Sequence, residues 1–264
     1  MVSEPLLYVT AGLLVGTLIG LTGVGGGSLM TPILMLGFGQ PATVAVGTDL
    51  IFAAITKLAA TASFGYKKRV DWPIVGRLAM GSIPGAAAVI VALWVANRAH
   101  TTADQTIARG LAVMLGVTAV AMLFQSRFQR LGVQVTADSL GRVERHKIVL
   151  TVLTGVLLGV GVTLTSVGAG ALGVVALLYL YPLRLTADRL VATDIAHALP
   201  VTIIAGLGHA ALGHVELPIL GCLLLGSIPG VLIAARTTIR LPEAVTRTLI
   251  AIMLAVVSGR MLFA

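Results

Sequence analysis

A glycine-rich stretch, Gly23-Val24-Gly25-Gly26-Gly27-Ser28, interrupts an apolar run that would otherwise form one plain membrane helix, and it occurs twice. The second copy reads Thr165-Ser166-Val167-Gly168-Ala169-Gly170-Ala171, and a shift of 143 residues also matches Gly12 with Gly155, Thr22 with Thr165 and Leu29 with Leu172. After a two-residue slip the match resumes, pairing Thr48-Asp49 with Thr193-Asp194, Pro73 with Pro218, and Gly81-Ser82-Ile83-Pro84-Gly85 with Gly226-Ser227-Ile228-Pro229-Gly230. The chain is an internal duplication, so one structural solution has to serve the pattern twice.

What flanks the breaks sets the solvent. With 57% hydrophobic and 11% charged residues there is too little polar surface to face water, and the chain reads as an integral membrane protein. Long runs of Leu, Ala, Val and Ile with many glycines suit packed transmembrane helices, whereas barrel strands would alternate over about ten residues. A net charge of +8 would suggest nucleic acid in a soluble protein. Here the basic residues sit in short loops between apolar runs, where they orient the chain in the bilayer, and no nucleic-acid partner is expected. The single Cys222 lies in an apolar run, leaving no disulfide framework.

Punctuation by polar residues, Pro and Gly gives five segments per half, near 5–22, 28–38, 42–65, 73–97 and 104–124, then 148–165, 171–181, 187–209, 217–236 and 242–263. A hydrocarbon core of about 30 Å needs about 20 residues at 1.5 Å each, so the second segment of each half, about 11 residues, reaches only about halfway. Such a segment, joined by glycines to its predecessor, is a broken or re-entrant helix. The expected fold is therefore all-α, with a first repeat over 1–124, a basic linker over 125–147 and a second repeat over 148–264. The linker carries Arg127, Arg130, Arg142, Arg145 and Lys147 and is assigned to the cytoplasm together with Lys67-Lys68-Arg69, Arg184 and Arg189. An odd number of segments in which the first two go there and back sets the halves upside down to one another. Inverted repeats with broken helices are a design of secondary transporters, which bind substrate near the midplane.

The glycines have two readings. They can serve close helix packing, or they can leave the first-turn N–H groups of a short helix unpaired and aimed at an anion, where the helix dipole favours negative charge. The second reading makes Gly25, Gly26, Gly27 and Ser28, with Gly168, Ala169 and Gly170, substrate contacts. Charged residues inside a membrane are functional candidates by default. Asp49 and Lys57 share a face of the third segment about 12 Å apart, too far to pair with each other. In the second half Asp194 repeats the acid, His197 adds a titratable group one turn on, and Thr202 replaces Lys57. Either Asp194 and Lys57 form a structural bridge across the repeat axis, or Lys57 and Thr202 meet an anion while Asp49, Asp194 and His197 carry protons. His209 and His214 are expected at the outer interface.

Gly23 to Gly27 followed by Pro32, the run Gly47-Thr48-Asp49-Leu50 to Thr56-Lys57, Val70-Asp71-Trp72 and the repeated Gly-Ser-Ile-Pro-Gly together resemble the sulfite exporter TauE/SafE family, over nearly the whole chain. The resemblance implies a multi-pass permease of the bacterial inner membrane for small sulfur-containing anions such as sulfite, thiosulfate or organosulfonates, coupled to protons, with membrane lipid as its surroundings and no cofactor or metal. An anion or proton channel, and a transporter of another small anion or a metal cation, stay open as alternatives. A membrane enzyme is disfavoured, because no His-Glu-x-x-His or Gly-x-Ser-x-Gly motif supplies a metal centre or nucleophile.

Overall fold

The structure is a computed structural model that describes residues 4–22, 27–66, 69–98, 103–124, 127, 142–167, 170–181, 183–236 and 243–263. Among these residues there is no strand, and ten helices follow one another. The first half contains α1 (Glu4–Thr22), α2 (Gly27–Pro32), which runs on through a π-helical turn at Ile33–Gly37, α3 (Ala42–Tyr66), α4 (Trp72–Arg98) and α5 (Ala103–Leu123). The second contains α6 (Arg142–Thr165), α7 (Ala171–Leu180), α8 (Ala187–Ala211), α9 (Leu217–Arg236) and α10 (Glu243–Phe263). The expected segments are therefore met almost end for end. The main difference is α6, which begins at Arg142 rather than near 148. Apolar content marks where a helix is embedded in hydrocarbon, and a helix can continue into the basic residues beyond that boundary.

Among the described residues, three stretches are long and apolar enough to cross a membrane, Trp72–Ala96, His146–Thr165 and Arg189–Ala211, and shorter apolar stretches occupy Pro5–Ile19, Ala112–Ala121 and Leu217–Ile233. Large apolar side chains such as Leu14, Val91, Leu157 and Leu225 point outward from α1, α4, α6 and α9. In a soluble protein this surface would aggregate; in a bilayer it faces lipid. The inner pair, α3 and α8, is the reverse, with Ala45 to Ala54 on α3 and Ala192 to Ala198 on α8 almost wholly buried.

The glycines explain how the helices come so close. Gly12 and Gly16 of α1 lie against the backbone of Leu223 and Ser227 on α9, where a Cβ would overlap main-chain atoms. Gly155 and Gly159 of α6 lie in the same way against Leu78 and Ser82 of α4. These two sets of four residues are the ones matched by the duplication. The Gly-Ser-Ile-Pro-Gly repeats supply the other side of each seam, since Gly81 meets Val152 and Gly226 meets Val9. With no hydrophobic effect between helices in lipid, such small-residue contact supplies dispersion through close backbone approach. Both α4 and α9 continue as single helices through Pro84 and Pro229.

The threonines of the two Thr-Asp pairs are equivalent in the same sense. The backbone N–H of Asp71, before α4, donates to Thr193 Oγ1 at 3.0 Å, and that of Glu216, before α9, donates to Thr48 Oγ1 at 3.1 Å. Each central helix thus holds the start of the other half's fourth helix by one of the N–H groups that a helix N-terminus leaves unpaired. On one side this clamp is reinforced. Buried Asp71 receives two hydrogen bonds from Arg184, both 3.0 Å, and a third from Arg189 at 3.5 Å.

Candidate functional site

The central pair runs antiparallel: Gly47 of α3 lies against His214 just beyond α8, and Ile51 lies against Gly206. Asp49 and Lys57 on α3 therefore descend past α8 as Asp194 and His197 rise, and all four are buried. Lys57 lies within Coulombic range of both carboxylates. The sequence alternatives were a Lys57–Asp194 bridge or an open cation. The ammonium has no hydrogen-bond partner among the described residues, so its attraction to Asp194 acts across a gap and that bridge does not close.

Each acid is held from another element. Thr31 on α2 donates its hydroxyl to Asp49 Oδ2 at 2.5 Å. Ser166, at the break after α6, stands beside the same carboxylate, yet Ser166 Oγ and Asp49 Oδ1 both lack a hydrogen-bond partner among the described residues. Asp194 packs onto the backbone of α7 at Gly173, where any Cβ would run into its Oδ1. His197 Nε2 lies 2.9 Å from Ser82 Oγ on α4, while its Nδ1 and Asp194 Oδ1 are unpartnered.

The second break gets its shape from two residues outside the ordinary range. Ser166 adopts φ 56° and Gly170 φ 127°, and at the latter only glycine is unstrained. Thr165 holds the turn, donating to Gly161 O at 2.7 Å and accepting from Val167 N at 3.1 Å. Gly170 then caps α7, and Gly27 opens α2. Ser28 lies in the first turn of α2. Gly25, Gly26, Gly168 and Ala169 lie outside the described residues.

Thr202 sits eight residues beyond Asp194, as Lys57 does beyond Asp49, but its hydroxyl is shared between Ala198 O and Leu199 O, each at 3.0 Å. Its only proton stays on its own helix. His209, expected at the interface, is fully buried. Its Nε2 lies 3.0 Å from Thr163 O and its Nδ1 3.2 Å from His214 Nδ1, so it ties α8 to α6. Thr31, Ser82 and Ser166 were not singled out from sequence. Their only signal is position, since Ser82 and Ser166 lie within repeated motifs and Thr31 just after one.

Buried polar atoms in folded proteins are almost always paired, and charges buried inside a membrane are costlier still. Five unpartnered atoms, Asp49 Oδ1, Lys57 Nζ, Ser166 Oγ, Asp194 Oδ1 and His197 Nδ1, gather where α3, α8 and the second break meet. Such an arrangement at the centre of a lipid-facing helical bundle suits a membrane transporter. Comparison with known proteins gives its family: the family model for Sulfite exporter TauE/SafE matches residues 8–261, and the chain belongs to that family. Two proteins of Bacillus subtilis (strain 168) are similar. "Probable membrane transporter protein YjnA" is 39% identical over 229 residues, covering 87% of this chain and 88% of that protein. "Probable membrane transporter protein YdhB" is 24% identical over 258 residues, covering 98% and 100%. No solved structure matches the chain.

Proposed function

We propose that this transporter moves a small sulfur-containing anion, such as sulfite, thiosulfate or an organosulfonate, together with protons, by alternating access between two inverted repeats in the bacterial inner membrane. The observation that carries the proposal is Lys57, a buried ammonium without a hydrogen-bond partner, facing two carboxylates at the meeting point of the halves. The antiparallel course of the equivalent helices α3 and α8 supports the inverted relation, because a twofold axis lying in the membrane reverses each helix on its mate.

Charge counting links anion and proton. With both carboxylates ionised and His197 neutral, the cluster carries one positive and two negative charges and repels an anion. One proton brings it to neutrality, and a second makes it positive. Anion binding therefore requires proton uptake at Asp49 or Asp194, with His197 as a third acceptor, and transport rises as pH falls on the loading side. In this reading Lys57, Ser166 and the backbone N–H groups opening α2 and α7, around Gly27 and Gly170, meet the oxyanion; Thr202, whose proton is held by its own helix, offers it no donor. The ionised form, with its excess of negative charge, favours the second reading of a cation substrate.

Purified protein in proteoliposomes, offered sulfite, thiosulfate, sulfoacetate and taurine with and without an inward proton gradient, tests the proposal. Uptake of one sulfur anion that is driven by the gradient and abolished in Lys57→Ala is the expected result. Equal uptake by Lys57→Ala, or stabilisation of the protein by divalent cations alone in a thermal-shift panel, would overturn it.

A further inference from the structure

The two halves carry equivalent serines, Ser82 and Ser227, in the repeated Gly-Ser-Ile-Pro-Gly, and both are buried. Both also lie at the close helix seams, Ser82 against Gly159 and Ser227 against Gly16. Packing therefore asks the same of each. Their polar surroundings differ. Ser82 Oγ lies 2.9 Å from His197 Nε2, whereas Ser227 Oγ has no hydrogen-bond partner among the described residues. Counting by the duplication, the residue in the place of His197 is Phe52 of α3, which is fully buried in an apolar cluster and has no acceptor or donor to offer a serine.

We infer that Ser82 is a positioning residue for the anion site, fixing the His197 imidazole through Nε2 so that Nδ1 is presented to the substrate next to Lys57. This rests on the proposed function and adds to it a residue on α4. A serine hydroxyl is suited to the task, because it both donates and accepts. It can donate to Nε2 while Nδ1–H faces an anion, and it can accept from Nε2–H when the ring takes up a second proton. The ring stays in place through a change of protonation, which an apolar neighbour would not achieve. The same hydrogen bond ties α8 to the α4–α6 seam, so the position of the imidazole follows the packing of α4.

The experiment compares Ser82→Ala, Ser227→Ala, His197→Phe and the double variant Ser82→Ala/His197→Phe in proteoliposomes, with thiosulfate and sulfite as probes. Alanine keeps the Cβ at both seams, so folding is matched. Ser82→Ala is expected to raise KM about fivefold with little change in kcat, the size of one lost hydrogen bond, and Ser227→Ala to leave both parameters at the wild-type value. In the His197→Phe background, removal of the Ser82 hydroxyl should have no further effect, since coupling is then absent. Equal effects of the two serine variants, or an undiminished effect of Ser82→Ala in the absence of His197, would show that the serine acts through packing and overturn the inference. If the wild-type protein moves neither anion, the functional reading falls, and the histidine ring nitrogen resonances of the purified protein still decide the positioning claim. A shift of the His197 signals in Ser82→Ala but not in Ser227→Ala upholds it, and unchanged signals refute it.

Discussion

Replacing Gly155 by alanine tests whether the glycine seams hold the bundle together. A Cβ at this position would overlap the Leu78 carbonyl oxygen and stand 3.0 Å from its carbon and 3.2 Å from its Cα, whereas unstrained separations are about 3.5–4 Å. All three atoms belong to the α4 backbone and cannot swing aside, so α4 and α6 must part by about 1 Å. A gap of that size forfeits about a quarter to a half of each dispersion contact along the seam, and overpacking of this kind costs about 1–3 kcal/mol. Taking the upper end, because backbone meets backbone, and subtracting about 1 kcal/mol gained by alanine over glycine in a helix, the net loss is about 2 kcal/mol. At about 2–4 °C per kcal/mol for a chain of this size, Tm of the detergent-purified protein should fall by about 4–8 °C. Gly76 and Gly221 provide the control. They are equivalent in the two halves, and a Cβ at either meets nothing within 4 Å, so Gly76→Ala and Gly221→Ala should hold or raise Tm. An unchanged Tm for Gly155→Ala, or an equal fall for Gly76→Ala, would refute the reasoning.

Thr31→Val preserves shape but removes the hydroxyl that donates to Asp49; leaving a buried carboxylate oxygen without that donor costs about 1–3 kcal/mol. Anion uptake should fall by about tenfold at unchanged membrane insertion, and wild-type uptake by Thr31→Val would remove Thr31 from the support of Asp49. At the reinforced clamp, Asp71→Ala should destabilise by about 2 kcal/mol, because it removes the side chain that accepts from the Ile74 N–H at 3.4 Å together with the bidentate partner of Arg184. Arg184→Ala should cost no more than about 1 kcal/mol, since the arginine side chain is 47% exposed and screened by solvent; a larger fall in Tm for Arg184→Ala than for Asp71→Ala contradicts this ranking.

Helix positions were legible because apolar run length and Pro/Gly punctuation respond directly to bilayer thickness; α8, for example, starts at Ala187 as expected and ends two residues past the reading at 209. The central acids were legible because an ionisable residue inside a membrane needs a reason to be there. What each glycine does was not. Gly12 and Gly155 look like any others in sequence, and only the approach of a helix from the opposite half, more than 60 residues away along the chain, assigns them to packing. The hydroxyls around the central groups were hidden for a related cause. Thr31, Ser82 and Ser166 reach the centre from α2, α4 and the second break, and nothing local to a hydroxyl tells which long-range neighbour it will meet. His209 shows the limit of reading depth from position: it is near a helix end, yet the loop through Gly213, at φ 77°, folds His214 back over it.

The duplication separates the residues that build the scaffold from those that do the chemistry. Seam glycines and clamp threonines act in pairs, each side of the molecule using the same residue for the same contact. The acids are also paired, but their surroundings are not. Asp49 is met by a hydroxyl from α2, Asp194 by bare backbone of α7; Lys57 has Thr202 as its counterpart, and His197 has Phe52. The proposed cycle, which would exchange the environments of the two halves, therefore would not exchange two identical states. The side closed by Asp71 is held by two arginines as well as Thr193, while its counterpart Glu216 is exposed and its backbone is held by Thr48. In the proposed alternating cycle, symmetry in the packing would let both orientations exist at similar cost, and asymmetry at the centre and at one clamp would bias which of them loads the anion and which releases it.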